Sequence, residues 1–519
     1  MNLAQKAQKG NEILKINGEG FNCADLTRVA RQKVPVSICP EALERIRRSR
    51  AMLEELVDRE AVVYGITTGF GRFSDVTISR DDAIQLQKNL IASHAAAVGD
   101  PLPEDVVRAA LLLRLNALAR GYSGVRPLLV KQLIEVLNRG VVPVIPEQGS
   151  LGASGDLAPL SHLALVLTGE GEAFYRGRRM AGSEALAAAG IEPLTLLEKE
   201  GLALINGTQI MTAIGALAYH DAVNLFKAAL VTGALTLEAQ QAVPDAFDPL
   251  IAEVRPYSGH RYTADAINRL VEGSSHIGSD RQKVQDAYSL RCIPQVHGAT
   301  AGALEYVKSV LDVEINSVND NPLLFPDQNR VISGGNFHGQ PVAQAMDFLA
   351  IAVSELGSIA ERRIERLVNP ALSGLPPFLI EEGGLNSGFM IAQYTAASLV
   401  SENKVLCHPS SVDSIPSSAN QEDHVSMGTT AARKARRVVD NTARVIGIEL
   451  LVAAQAVDFR GADGLGRGTA AAYEALREEV DFLEKDRILY PLIDRAVEMV
   501  TSEGLIKKVE EAVCLNMDA

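Results

Sequence analysis

Val342-Ala-Gln-Ala-Met346-Asp-Phe-Leu349-Ala-Ile-Ala-Val353-Ser-Glu-Leu356-Gly-Ser-Ile-Ala360 carries apolar side chains at alternating steps of four and three residues. That spacing is the seam of a long helix with a coiled-coil-like stripe, and it extends to Leu367 before Asn369-Pro370 stops it. A second long helix is expected from about Met427 to Ala456, with Arg433, Lys434, Arg436 and Arg437 on exposed faces. Ser79-Arg-Asp-Asp82 resembles a capping box and opens a helical segment running to about Val98. Strand signals are few. Residues 140–145 are β-branched but interrupted by Pro143, which suits an extended entry to the glycine-rich run that follows. The chain therefore reads as mainly α: an N-terminal helical head over residues 1–200, then a long multi-helix bundle over residues 201–519. Stripes of this length usually pack in multi-helix bundles, often between subunits.

With 519 residues, 47% of them hydrophobic, the chain is long enough for a large core and two or more structural units. Its net charge of −14 argues against nucleic acid as a partner, since phosphate binding needs a basic face. No charge-free apolar run approaches membrane-spanning length, and the first ten residues carry no apolar signal-peptide core. The five cysteines, Cys23, Cys39, Cys292, Cys407 and Cys514, are scattered without Cys-x-x-Cys spacing. Neither a zinc site nor a disulfide framework is indicated, and a reducing cytoplasm is the expected setting.

The run with most chemical content is Gly149-Ser-Leu-Gly-Ala153-Ser154-Gly155-Asp-Leu-Ala-Pro-Leu160. If the Gly155 amide nitrogen attacks the Ala153 carbonyl with loss of water, a five-membered ring closes. If Ser154 then loses its hydroxyl, an exocyclic methylene remains. The product, methylidene-imidazolone, is an electron sink of a kind that no unmodified side chain supplies. Gly155 provides an unhindered nitrogen and a permissive backbone. Taken alone, the run reads as an ordinary glycine-rich loop ending in a helix N-cap. It is neither a phosphate loop, which needs Gly-Lys-Ser/Thr, nor a Gly-x-Ser-x-Gly nucleophile elbow.

Other segments offer chemistry of their own. Val63-Tyr64-Gly-Ile-Thr-Thr-Gly-Phe-Gly71 is a second glycine-rich loop, either a surface loop or a lid carrying a phenolic base. Ser93-His94 lies in an alanine-rich helix, where a lone histidine is more often a core residue. Arg291 follows Tyr288-Ser-Leu; an arginine can clamp a carboxylate in two-point fashion, although most arginines are solvated surface charges. Asn420-Gln-Glu422-Asp-His424 clusters polar groups, but Glu422 and His424 lack the i, i+4 spacing of helical metal ligands, and no metal site is expected. Gly464-Leu-Gly466-Arg-Gly468 follows no strand signal and is not read as a nucleotide site.

Six segments in consistent order resemble the aromatic amino acid ammonia-lyases over about residues 60–470. They are Tyr64-Gly-x-x-Thr-Gly-Phe-Gly71, Gly149 to Pro159, Leu204-Ile-Asn206-Gly-Thr, Gln285-Asp-x-Tyr288-Ser-Leu-Arg291-Cys, Gly334-Gly-Asn-Phe337-His-Gly and Ser418-Ala-Asn-Gln-Glu422-Asp-His. The resemblance implies methylidene-imidazolone formed autocatalytically from Ala153, Ser154 and Gly155, with no pyridoxal phosphate and no nucleotide. It makes Tyr64 the base for a β-proton, Arg291 the carboxylate clamp, and Asn206, Gln285, Tyr288 and Phe337 the support of ring and substrate. Ser93-His94 matches the histidine-specific pattern. Glu422 points the same way, because a carboxylate pairs with an imidazole N–H but is stranded against a phenyl ring. The expected reaction is elimination of ammonia from L-histidine to give trans-urocanate, the first step of histidine degradation, with His94 and Glu422 holding the imidazole. The resemblance also implies a homotetramer with shared active sites. In the lid, Thr67 stands where the family usually has Asn.

Three other readings compete. A 2,3-aminomutase would use the same prosthetic group and return ammonia to the β-carbon. Gly273-Ser-Ser275 is similar to part of the fumarase and argininosuccinate-lyase signature, but His276-Ile-Gly-Ser follows instead of Met-Pro-x-Lys. A helical scaffold would leave Ala153-Ser154-Gly155 unmodified.

Overall fold

The computed structural model describes residues 13–59, 61, 63, 65, 68 and 80–515. The architecture is mainly helical, and the strands among the described residues form only two- and three-stranded sheets. The stripe helix runs Gln340–Val368, and Val342, Met346, Leu349, Val353, Leu356 and Ala360 along it are all fully buried. The stripe is therefore packed within the chain itself. The exposed apolar side chains of this helix are Phe348 and Ile351, off the seam. The second long helix is Gly428–Arg460. Its basic cluster is less exposed than expected. Arg437 is exposed, but Arg436 is half-buried between Asp221 and Asp440, and Arg433 pairs with Glu147.

The helix after residue 79 is Arg80–His94 and stops short of Val98. The reason is tertiary: Val98–Pro101 is a strand, paired antiparallel with Pro146–Gln148. Residues 141–143 form the expected extended segment, an edge strand paired with Glu172–Tyr175. At an edge, the missing N–H of Pro143 costs no ladder bond.

The chain forms two compact units. The first comprises Met1–Leu217, Ser309–Met346 and Pro409–Arg433; the second comprises Ala218–Lys308, Asp347–His408 and Lys434–Ala519. The centre of the first is the helix Glu104–Ala119, buried on all sides from Val106 onward. Such a helix must satisfy its polar groups internally. Arg108 donates to the carbonyls of Val29 and Leu137, and Arg114 to those of Ala203 and Asn206. In the second unit, the helices Gln209–Ala239, Gln340–Val368 and Gly428–Arg460 meet at a fully buried ion pair. Arg363 grips Glu449 through Nε and Nη2, and Thr232 and Thr236 donate to the same carboxylate at 2.7 and 3.1 Å.

Two helices, Gln209–Ala239 and Gln340–Val368, are long and apolar enough to cross a membrane by length and composition. In each, most of the apolar window is buried inside the protein, 83% and 56% respectively.

Candidate active site

The strand Pro146–Gln148 delivers the chain into Gly149-Ser-Leu-Gly-Ala-Ser-Gly155, and its partner strand continues from the helix that ends in Ser93-His94. The two segments are thus tied at the root, and a Cβ on Gly149 would lie 3.0 Å from the Ala97 Cα. Within the loop, Gly152 and Gly155 adopt φ of +67° and +73°. A Cβ at Gly155 would overlap the Gly207 carbonyl, and one at Gly152 would overlap the Ser426 hydroxyl, so only glycine fits either position. Gly155 and Gly207 form a β-bridge, and Asp156 N donates to the Gly207 carbonyl at 2.7 Å. The Ala153 methyl packs against Val425 and Met427.

Asp156 is the anchor. The short-loop reading makes it a cap for its own helix, Leu157–Leu167, but its side chain makes no such bond. Its carboxylate instead accepts from Ile210 N and Met211 N at 2.9 Å each, capping the helix Gln209–Ala239 from outside, and from the Ser150 and Thr429 hydroxyls. Burial pushes this carboxyl above its ordinary range, against the pull of those four hydrogen bonds. The starts of three long helices gather here. Beside Gln209–Ala239, Gly339 abuts Met211 just before Gln340–Val368, and Met427 N donates to the Leu151 carbonyl just before Gly428–Arg460. Helix N-termini carry partial positive charge, so the field at the loop favours a developing anion.

Glu422 reaches this loop. The Ser154 hydroxyl donates to Glu422 Oε1 at 2.9 Å, and the Ser417 hydroxyl donates to Oε2 at 3.0 Å. Gln421, Asp423 and His424 are exposed, and His424 stacks on His338 with ring centroids 5.8 Å apart. Among the described residues no group of three or more His, Cys, Asp or Glu side chains is placed to hold a metal ion.

Asn206 is buried one residue before Gly207. Its Nδ2 donates to the Asn321 carbonyl at 3.2 Å, and its Oδ1 has no partner. Asn321 Oδ1 in turn accepts from Gly334 N at 2.8 Å, holding the loop that carries half-buried Phe337. Ser93 and His94 stand at the end of their helix, Ser93 exposed and His94 half-buried. His94 Nδ1 lies 2.8 Å from the Leu90 carbonyl. A carbonyl only accepts, so in the neutral ring Nδ1 carries the proton and Nε2 is left as an acceptor. Gln285, Tyr288 and Arg291 belong to the second unit. There the Arg291 guanidinium lies 4.6 Å from the Tyr288 ring centroid, its Nε is buried without a partner, and Tyr288 is 71% exposed. Tyr64 and Thr67 lie outside the described residues.

Sequence reasoning missed several supporting residues. Arg114, Asn321, Ser417 and Ser426 carry no motif of their own. Arg114 had one signal, an arginine flanked by Leu111-Leu-Leu113 and Leu115 in the middle of a helix.

A mainly helical chain that gathers long-helix N-termini on an Ala-Ser-Gly turn, with a carboxylate on the serine, has the organisation of a helical lyase. The family comparison gives that class its name: the chain belongs to the aromatic amino acid lyases, whose family model matches residues 21–478. A histidine ammonia-lyase from Alkaliphilus oremlandii is 58% identical over 501 residues, covering 96% of this chain and 99% of the relative. The solved histidine ammonia-lyase from Trypanosoma cruzi has a TM-score of 0.91 at 44% identity, covering 97% of this chain and 96% of that one. Tyrosine aminomutase from Streptomyces globisporus has a TM-score of 0.92 at 39% identity, covering 97% and 100%. Membership of this family removes the fumarase-like and scaffold readings.

Proposed function

We propose that this chain eliminates ammonia from L-histidine to give trans-urocanate, using methylidene-imidazolone made from Ala153, Ser154 and Gly155. The residues suit that group. Gly155 is held in a left-handed turn with no room for a side chain, and beside it Asn206 Oδ1 is buried and unpartnered. When formed, the group supplies the electron-poor carbon that the amino nitrogen needs if it is to depart.

The chain's own residues do the rest. Arg291 binds the substrate carboxylate in two-point fashion. Tyr64 takes the proton from the substrate Cβ. His94 and Glu422 hold the imidazole, while Ser93 steadies His94 and Asn206, Gln285, Tyr288 and Phe337 line the ring and substrate. The observation that carries the choice of substrate is the Glu422 carboxylate, 2.9 Å from the Ser154 hydroxyl. The Glu422 carboxylate is an acceptor, and the N–H of an imidazole ring satisfies it. A phenyl ring would leave the carboxylate desolvated and unpaired. We take the enzyme to be a cytoplasmic homotetramer with shared sites. The free state of all five cysteines supports the compartment, and the exposure of Tyr288, Phe348 and Ile351 leaves apolar surface for other copies.

The test is ultraviolet absorbance during separate incubations with L-histidine, L-phenylalanine and L-tyrosine, followed by product analysis. Histidine alone should give a conjugated product and stoichiometric ammonia. A response to tyrosine without one to histidine would overturn the substrate, and a β-amino acid product would make the enzyme an aminomutase.

A further inference from the structure

We propose that Ser417 is a positioning residue that determines specificity: it holds the Glu422 carboxylate so that a single oxygen is presented to the N–H of the substrate ring. The inference deepens the histidine reading and rests on it. The Glu422 carboxylate accepts two side-chain hydrogen bonds, from Ser154 on Oε1 at 2.9 Å and from Ser417 on Oε2 at 3.0 Å. Both donors are neutral hydroxyls, and among the described residues no cation pairs with this carboxylate. The kind of donor matters. A guanidinium or ammonium would orient the carboxylate but cancel the charge that draws an imidazole N–H, whereas a hydroxyl orients it and leaves that charge for the substrate. The two donors also differ in their fate. Ser154 gives up its hydroxyl when the loop matures, and Ser417 keeps its own. In the mature site Oε2 stays engaged and Oε1 alone is left to accept from the ring.

The backbone on both sides of Glu422 serves the same end. Ser417 and Glu422 exchange both backbone hydrogen bonds, at 2.9 and 3.3 Å. Between them Ser418, Ala419 and Asn420 are all left-handed, with φ of +51°, +52° and +66°. Three consecutive non-glycine residues in that region are an unfavourable backbone, of the kind that persists where the geometry serves a site. This turn folds the chain back so that the Ser417 hydroxyl meets the side chain of Glu422. On the far side His338 is the strut. Its Nδ1 accepts from Gln340 N at 3.3 Å, so the proton of the neutral ring is on Nε2, which lies 3.3 Å from the His424 carbonyl and donates to it. The two histidine rings stack with their planes 5° apart. Val425 N then donates to the Ser414 hydroxyl at 3.1 Å, and the Ser426 hydroxyl to the Gly152 carbonyl at 3.1 Å, tying the segment to the Ala153-Ser154-Gly155 loop. With its backbone fixed, the remaining freedom of Glu422 is the rotation of its own side chain, and Ser417 removes it. A glutamate already held does not have to be ordered by each substrate molecule, so binding is tighter.

The test uses the full-length chain in two forms. Ser154→Ala lacks the hydroxyl on Oε1 and cannot turn substrate over, so calorimetric titration with L-histidine reads binding directly. Adding Ser417→Ala should raise its Kd about tenfold, the effect of one hydrogen bond to a charged group, and adding Ser417→Thr, which keeps a hydroxyl, should leave the Kd near that of Ser154→Ala. In the otherwise wild-type enzyme Ser417→Ala should raise the KM for histidine by a similar factor, with kcat and the mass loss of two waters unchanged, the pattern of a contact made equally in ground and transition states. An unchanged Kd and KM in Ser417→Ala would overturn the role of Ser417, and so would equal weakening by Ser417→Thr. If Ser417→Ala does not fold, the isosteric pair decides: Ser417→Thr should bind histidine about tenfold more tightly than Ser417→Val, and equal binding by the two would overturn the proposal. A wild-type enzyme that does not turn over L-histidine would overturn the substrate reading itself, whatever Ser417 does.

Discussion

Ser154 is the residue on which the chemistry turns, and its structural contribution is small. It is half-buried and makes one side-chain hydrogen bond, to Glu422. Losing such a bond costs about 1 kcal/mol, which moves the thermal midpoint of a large domain by about 2–4 °C. Ser154→Ala should therefore remain folded, keep its full encoded mass less at most one water, and show no measurable turnover. Turnover near the wild-type rate would mean that the electrophile lies elsewhere. Glu422→Gln tests recognition if activity is expressed per mole of chain that has lost two waters. A site built to hydrogen-bond a substrate group discriminates by factors well above those of apolar contacts. Histidine kcat/KM per matured chain should fall about 100-fold or more, while the thermal midpoint stays near wild type. Equal losses of activity and stability would mark Glu422 as a structural residue.

At the scale of elements, the segment 417–422 stores strain that can be relieved one residue at a time. Ala419 sits at φ +52°. A left-handed residue with a Cβ costs about 1–2 kcal/mol relative to glycine, offset in part by the greater entropy of glycine in the unfolded chain. Ala419→Gly should raise unfolding stability by about 0.5–1 kcal/mol, read as a shift of the urea midpoint at constant slope. It should also lower turnover, because the segment aiming Glu422 becomes looser. A loss of stability would show that the Ala419 methyl packs usefully. This segment also marks where sequence reading ran out. The long helices were legible because their spacing repeats over many turns: the stripe from Val342 predicts a helix that the structure bounds at Gln340 and Val368. Left-handed Ser418, Ala419 and Asn420 carry no glycine to announce them. The contact of Ser154 with Glu422 joins residues 268 positions apart, and local pattern holds no trace of it. Resemblance named both residues, but not their hydrogen bond. Asp156 was visible as a capping residue, yet it caps a helix that begins more than fifty residues later, a choice made by tertiary packing.

For the whole molecule, the long helices impose a pH dependence through buried polar groups in the second unit. His297 lies in the helix Ile293–Glu314, fully buried, with neither ring nitrogen hydrogen-bonded. It faces the Phe226 ring, 6.3 Å away, and feels the Arg363 guanidinium, whose charge is gripped by Glu449. Burial first, and the Arg363 charge second, hold its pKa well below the ordinary value of about 6.5. The sign follows from proton counting. Above pH about 6.5 His297 is neutral in both folded and unfolded chains, and pH has no leverage through it. Below that, the unfolded chain takes up a proton that the folded chain refuses, so stability falls as pH falls, by up to about 1.4 kcal/mol per pH unit. His162 and His260, also lowered by burial, act in the same direction. His297→Met replaces the ring with an apolar side chain of similar size and leaves no hydrogen bond broken. Its stability at pH 7.5 should equal or exceed wild type, since an unpaired buried polar group has gone. Between pH 6 and 5 its urea midpoints should fall less steeply than wild type, by about one proton's worth of slope. Parallel curves for the two proteins over that interval would show that His297 finds a proton partner inside the folded bundle.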